Sequence, residues 1–364
     1  MATVTGHYQD TPGARFARDR LDALLRRINL LQREPRQAER RKAWFHAMPD
    51  FSPSLNEERI ASGLPVGGLI GWQPSAFDFV PASIPANGCG VLVGRQTTAP
   101  NYKSLLRNVV AASTSLTIGD RAMIWDAGRK NHFLNIYRGN DGSIYTVLHC
   151  SLPEFKQSAV AGIRVSTAES PEGSLAYYKD AAAEAFRAAA ELIEELALEK
   201  RRLLAAAIFP EAEIIFNHNH VRMVSAHVAA IGCYVSTRPI LDGPLTIGPG
   251  EKAFLTSTVV PTNTPAGTLY LQPHGTGNAM SRPGLVRFNE RHRLFYVARN
   301  DRRVSLYDTA TDVFDTYPNL DQSRASLAQW LGSENSVIEL VPLIETKLRT
   351  LSEVRTHGSR GAPT

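Results

Sequence analysis

The chain is poor in cysteine, in net charge and in long apolar runs, and each shortage excludes a class of protein. Cys89, Cys150 and Cys233 are the only 3 cysteines in 364 residues. They are odd in number and far apart, which excludes a disulfide framework and points to free thiols in a reducing compartment. No stretch reaches the roughly 18–20 uninterrupted apolar residues of a membrane-spanning helix. Met1 to Asp10 is polar and lacks the apolar segment of a secretion signal, so the expectation is a soluble, cytoplasmic protein with no membrane partner. Charged residues make up 21% and hydrophobic ones 43%, which excludes a disordered chain and supplies a substantial core. The 40 Lys and Arg outnumber the 35 Asp and Glu by enough to give +5, a modest excess that suits an anionic partner such as a nucleotide or nucleic acid.

Along the chain, Ala14 to Trp44 places Leu21, Leu24, Leu25, Ile28 and Leu31 at helical spacing among arginines, which predicts an amphipathic helix. Its continuation through Arg40, Arg41 and Lys42 is the most basic part of the sequence, either a solvated face or a contact for phosphates. Glycine, proline and β-formers dominate from Pro49 to Arg95 and read as short strands and tight loops. A second helix is predicted from Tyr102 to Ser113, then strands over Arg121–Trp125, His132–Tyr137 and Ile144–His149. Leu175 to Ala207, rich in Ala, Glu and Leu and free of Gly and Pro, reads as one or two long helices. Strands follow, over Glu213–Phe216, Ala229–Ser236, Lys252–Val260, Gly267–Gln272, Leu285–Val297 and Arg303–Asp308. Strands on either side of a helical block, without regular alternation, predict an α+β fold.

Candidate metal ligands stand in four separated places: Gly88-Cys89-Gly90, Asn131-His132-Phe133, Leu148-His149-Cys150 and Asn217-His218-Asn219-His220. None has the compact spacing of a local metal motif, so each alone reads more readily as a structural residue than as a ligand. Brought together, thiolate and imidazole suit Mn, Fe or Zn. A fifth segment, Gln272-Pro273-His274-Gly275-Thr276-Gly277-Asn278-Ala279-Met280-Ser281-Arg282, presents a histidine on a glycine-rich turn. Backbone amides there can approach a phosphate closely, which suits phosphoryl or nucleotidyl transfer to His274 as well as an ordinary hairpin turn.

Read in order, Met48-Pro49-Asp50, Leu64-Pro65-Val66-Gly67-Gly68, Gly88-Cys89-Gly90-Val91, Asn131-His132-Phe133-Leu134, His149, His218-Asn219, Ile247-Gly248-Pro249-Gly250, His274-Gly275-Thr276-Gly277 with Met280-Ser281-Arg282, and the closing Val341 to Lys347 resemble the RtcB RNA ligase family. The likeness runs from Met48 to Lys347, with short motifs in a specific order. It implies a compact RtcB-like α+β fold of mixed and antiparallel sheets flanked by helices around a central metal site. Three segments are expected: a basic amphipathic helical segment, residues 1–47, packed on a catalytic domain, 48–350, with a frayed tail, 351–364.

The resemblance also implies a chemistry. In this family a histidine attacks the α-phosphate of GTP, and the resulting guanylate activates an RNA 3′-phosphate, or one opened from a 2′,3′-cyclic phosphate, for attack by a 5′-hydroxyl. His274 matches that nucleophile and Asp50 the carboxylate that orients it. Cys89, His132, His149 and His218 match the ligands of one or two Mn²⁺ ions. Asn131, Asn219, Glu251, Gly275, Thr276, Gly277 and Lys347 fall at positions that bind GTP. The implied partners are GTP and RNA carrying those ends. His220 and His227 match no family position and read as structural or exposed.

Some positions differ. Ala86 stands where the family has a metal-binding Asp, Glu251 where it has a serine, and Asn278 where an arginine follows the glycine-rich turn. These differences leave open a metal-dependent cyclic-phosphate hydrolase or another nucleotidyltransferase, and a non-catalytic RNA-binding homologue.

Overall fold

A computed structural model describes residues 3–6, 8, 10–32, 42–54, 57–127, 132–156, 158–246 and 252–275, together with the strands Asn278–Ser281, Val286–Asn289, Leu294–Arg299, Arg302–Tyr307, Asp315–Pro318 and Val337–Thr346. Sheets dominate an α+β architecture. The largest holds seven strands in the order Glu213–Asn219, Gly90–Gln96, Ile144–Cys150, Phe133–Gly139, Val337–Thr346, Ala253–Thr258 and Ile240–Thr246, every neighbouring pair antiparallel. Its two outermost strands approach each other, so the sheet is nearly closed and barrel-like. Ile144–Cys150 is buried at every residue because both of its faces are covered. Tyr145 and Val147 turn to one apolar cluster, with Val91, Val93 and Leu255, while Ile144, Leu148 and Cys150 turn to another, beneath helices.

A second sheet runs Thr3–Gly6, Trp44–Ser52, Val66–Gly71, Val228–Ile231 and Val221–Ser225. The helix Pro12–Leu31 covers it, capped by Thr11, whose side chain accepts from the Ala14 amide at 3.0 Å, with proline opening the first turn. Leu21, Leu24, Leu25 and Ile28 are fully buried with Phe45, Phe51 and Ile70. The helix ends at Leu31 with Gln32 as its cap, and Trp44, the expected end, pairs in the sheet instead; 33–41 lie outside the described residues. Arg15 and Arg26 pair with Asp10 and Glu172, so this stretch of arginine is engaged with the protein's own surface.

The block read as helix from Leu175 begins instead as a strand, Leu175–Lys179, paired on one side with Phe79–Pro81 and on the other with Val165–Ala168. Tyr177 and Tyr178 pack well in a sheet, and tertiary pairing overrides helix propensity there. Asp180, at φ 48°, turns the chain into the helix Ala181–Ile208. That helix joins both cores: Ala183, Phe186 and Ala190 pack under the five-stranded sheet, and Ile193, Ala197, Leu204 and Ile208 pack against the seven-stranded one. The helix Tyr102–Ser115 extends two residues past its expected end. Of Arg121–Trp125 only Arg121–Ala122 is strand. Ala229–Ser236 is divided at Gly232 into Val228–Ile231 and Cys233–Ser236.

Candidate metal centre

The strand carrying Met48-Pro49-Asp50 loses register with Val66–Gly71 between Ala47 and Ser52. Such a bulge re-aims a side chain, and Asp50, itself buried, places Oδ2 2.8 Å from Nδ1 of His274. His274 follows the strand Gly267–Pro273, and the next residue, Gly275, bridges to Thr246. The carboxylate outweighs the effect of burial and raises the His274 imidazole above its ordinary value.

The glycine before Cys89 has φ +60°, and a Cβ there would meet the Ala197 side chain at 2.5 Å, so the loop lies directly against the long helix. Asn87 Oδ1 accepts from the Cys89 amide at 3.0 Å and shapes this turn. Cys89 Sγ lies 3.4 Å from Nε2 of His132 and 3.3 Å from Nε2 of His149. Nε2 of His149 is in turn 3.0 Å from Nε2 of His220. The donor atoms of Cys89, His149 and His220 all lie within 4.8 Å of one another, and these three can hold a metal ion.

The electrostatics fit that use. Burial alone lifts a thiol, but the surrounding His220, His149 and His132, the last also bonded to the sulfur, outweigh it, and Cys89 is held well below its ordinary value. Burial above all, with the charge of His274, pushes His220 down to about 3, so its ring is neutral and keeps a lone pair. Burial likewise lowers His149. His132 is raised to about 10, because Cys89 and Asp126 outweigh burial. A buried nitrogen of His220, Nδ1, has no hydrogen-bond partner among the described residues, an unmet polar group next to these donors. Thiolate with neutral imidazoles is the donor chemistry of a borderline first-row ion.

The structure therefore brings together Asp50, His274, Cys89, His132, His149 and His220. His218, expected among the ligands, lies outside this group. The strand Glu213–Asn219 ends before His220, whose amide and the next one bond to the Cys89 carbonyl at 3.0 and 3.3 Å and carry that ring inward. His218 instead packs on Phe216, with Arg222 and Arg201 nearby. His220, expected to be structural or exposed, is 2% exposed and belongs to the donor group. Asn219, expected beside a nucleotide, has its amide between Arg201 and the Glu194 carbonyl. Gly275 is buried beside Thr246, whereas Asn131, Glu251, Thr276, Gly277 and Lys347 lie outside the described residues. Ala86 packs against both apolar cores.

Three polar residues behind the ligands were not apparent from the sequence. Asp126 Oδ2 is 2.8 Å from His132 Nδ1, and both Lys200 and Arg201 are fully buried on the long helix. No family model matches the chain, and neither does any curated protein or solved structure. Among the described residues, no helix is long and apolar enough to cross a membrane.

Proposed function

We propose that this protein is a GTP- and Mn²⁺-dependent RNA ligase that joins RNA 3′-phosphate or 2′,3′-cyclic phosphate ends to 5′-hydroxyl ends through a histidine guanylate. The observation that carries the reading is the placement of the His274–Asp50 pair against the donor group: the rings of His274 and His220 are stacked with centroids 4.3 Å apart. Phosphoryl and nucleotidyl transfer needs an oriented nucleophile next to cationic charge stabilisation; the carboxylate-held histidine supports the first requirement, and a metal ion held by the donor group would supply the second.

Asp50 accepts from Nδ1–H and so fixes the tautomer that leaves the Nε2 lone pair for attack. Nε2 forms a bond to the α-phosphorus of GTP as the bond to the bridging oxygen breaks, and pyrophosphate leaves. The imidazolium that develops is stabilised by the Asp50 carboxylate. Cys89, His149 and His220, with His132 against the sulfur, would hold Mn²⁺, which supplies neutralisation of phosphate charge when bound. In the second stage the guanylate passes to the RNA 3′-phosphate and the 5′-hydroxyl displaces GMP.

A second reading, metal-dependent hydrolysis of a cyclic phosphate, is favoured by the cysteine turn. Ala86 is a partly buried alanine packed against the apolar cores and the Asn87 oxygen is already taken by the Cys89 amide, so this turn offers no carboxylate to a second ion. One experiment separates the two. Purified protein is incubated with α-labelled GTP and Mn²⁺, then with RNA bearing the stated ends. The ligase reading expects an acid-labile, alkali-stable adduct, lost in His274→Ala, and joined RNA. Opened cyclic phosphate with neither adduct nor joined product overturns it in favour of hydrolysis.

A further inference from the structure

Two consecutive cations of the helix Ala181–Ile208, Lys200 and Arg201, are both 0% exposed, and each is directed to a different part of the donor group. Arg201 Nε donates to Asn217 Oδ1 at 2.7 Å, one terminal nitrogen donates to the Gly88 carbonyl at 3.1 Å, and the other donates to Asn219 Oδ1. The guanidinium thus joins the residue before Cys89 to the residue before His220. Both asparagines are held from their other side, Asn217 by the Leu198 carbonyl at 3.0 Å and Asn219 by the Glu194 carbonyl at 3.0 Å. Among the described residues no carboxylate bonds to Arg201: its fork meets two amide side chains and one backbone carbonyl, and the buried Cys150 thiol lies against the same guanidinium.

Lys200 serves the other part. Its ammonium donates to the Ile124 and Ser151 carbonyls at 2.9 and 3.0 Å and to Glu154 Oε1 at 2.9 Å, and it lies 3.4 Å from Asp126 Oδ1. Asp126 Oδ2 accepts from the amide and hydroxyl of Ser151, each at 2.9 Å, and faces His132 Nδ1. A chain of contacts therefore runs from Lys200 through Asp126 and His132 to Cys89 Sγ. Ser151 directly follows the strand that carries His149.

We infer that Lys200 and Arg201 are positioning residues for the metal centre: Arg201 sets the placement of Cys89 relative to His220, and Lys200, through Asp126, sets the direction of His132 toward the sulfur. Residues that orient ligands from behind alter metal affinity and ligand geometry without touching the ion. The inference rests on the metal-binding part of the proposed function and needs neither GTP nor RNA.

The test is Co²⁺ binding, followed through the near-ultraviolet thiolate-to-metal band, in wild type, Arg201→Lys, Asp126→Asn and a control, Arg187→Lys. Arg187 lies on the same helix but pairs with Asp78 away from the centre. Arg201→Lys keeps the charge and loses the fork, and Asp126→Asn keeps the shape and loses the anion facing His132. Both are expected to weaken Co²⁺ binding by about 10- to 100-fold and to shift the band, while the control matches wild type.

Wild-type affinity and spectrum in folded Arg201→Lys overturns the assignment for Arg201, and in folded Asp126→Asn it removes the route through which Lys200 acts and overturns the assignment for Lys200. Equal weakening in the control reduces the effect to general destabilisation and overturns both. If Arg201→Lys fails to fold, Asn217→Ser, which removes one of its acceptors, reads the same quantity with a smaller expected loss. Absence of Co²⁺ binding by wild type overturns the metal centre itself, whereas Co²⁺ binding without guanylate formation leaves this inference standing and removes the ligase reading.

Discussion

His274 stacks on His220, with ring centroids 4.3 Å apart and planes inclined by 24°. One of these rings is held by a carboxylate and the other belongs to the Cys89–His149–His220 cluster, so the proposed nucleophile and the donor group share a surface. The first consequence concerns Asp50. Asp50→Asn retains a group of the same size but allows the wrong imidazole tautomer and no longer stabilises the imidazolium. Guanylate formation should fall on the order of 100-fold or more, with Mn²⁺ binding retained. The measurement is the rate of single-turnover labelling.

The same pair predicts a pH profile. Asp50 raises His274, so the Nε2 lone pair is depleted over a wider acid range than for an ordinary histidine. Labelling by GTP should rise with pH through a midpoint above the usual value of about 6.5, and the midpoint should move down in Asp50→Asn. An unchanged midpoint separates the observed titration from His274.

Gly232 makes a second, steric demand on the proposed nucleophile. Its φ is +82°, and a Cβ placed there would meet His274 Cε1 at 3.1 Å. Gly232→Ala should therefore cost about 1–3 kcal/mol from backbone strain and displace the imidazole. Thermal unfolding and adduct yield together test this, with yield falling further than stability alone explains.

Glu194 predicts a pH dependence of folding rather than of chemistry. Burial pushes its carboxyl up to about 7, against the opposing charge of Arg222. A raised folded-state value contributes stability that is full below the unfolded value of about 4.5 and is lost as pH rises through about 7. Glu194→Gln should remove this loss and exceed wild type by roughly 2 kcal/mol at pH 8, while still accepting from the Met223 amide. Denaturant unfolding at pH 5 and pH 8 gives the comparison.

Metal removal should lower the midpoint of thermal unfolding, because an ion held only by the native state stabilises it by an amount that grows with the logarithm of its concentration over its dissociation constant. Added Mn²⁺ should restore the midpoint in wild type and fail to do so in Cys89→Ser.

The elements that pack by periodic apolar faces were legible in the sequence: Leu21, Leu24, Leu25 and Ile28 marked one helix, and the Ala-rich run marked the core of another. Leu175–Lys179 was not, since its helical composition yields to pairing with Phe79–Pro81, a partner remote in sequence. In Asn217-His218-Asn219-His220 the two histidines are equivalent by residue type, and only the end of the strand at Asn219 decides which one turns inward. The adjacent His-Asn-His pattern was the available signal for His220. Asp126, Lys200 and Arg201 gave no signal, because an ion pair across 74 residues leaves no local pattern.

The donor group is gathered from a loop at Cys89, strands near His132 and His149, and a turn at His220, with His274 arriving later still. Contacts between residues so distant in sequence form only after large loops have closed. Assembly of the centre should accordingly be a late event in folding, and a nascent chain released before His274 would lack the ring that stacks on His220. The centre is thus a property of the completed chain, and ion binding during refolding reports its final step.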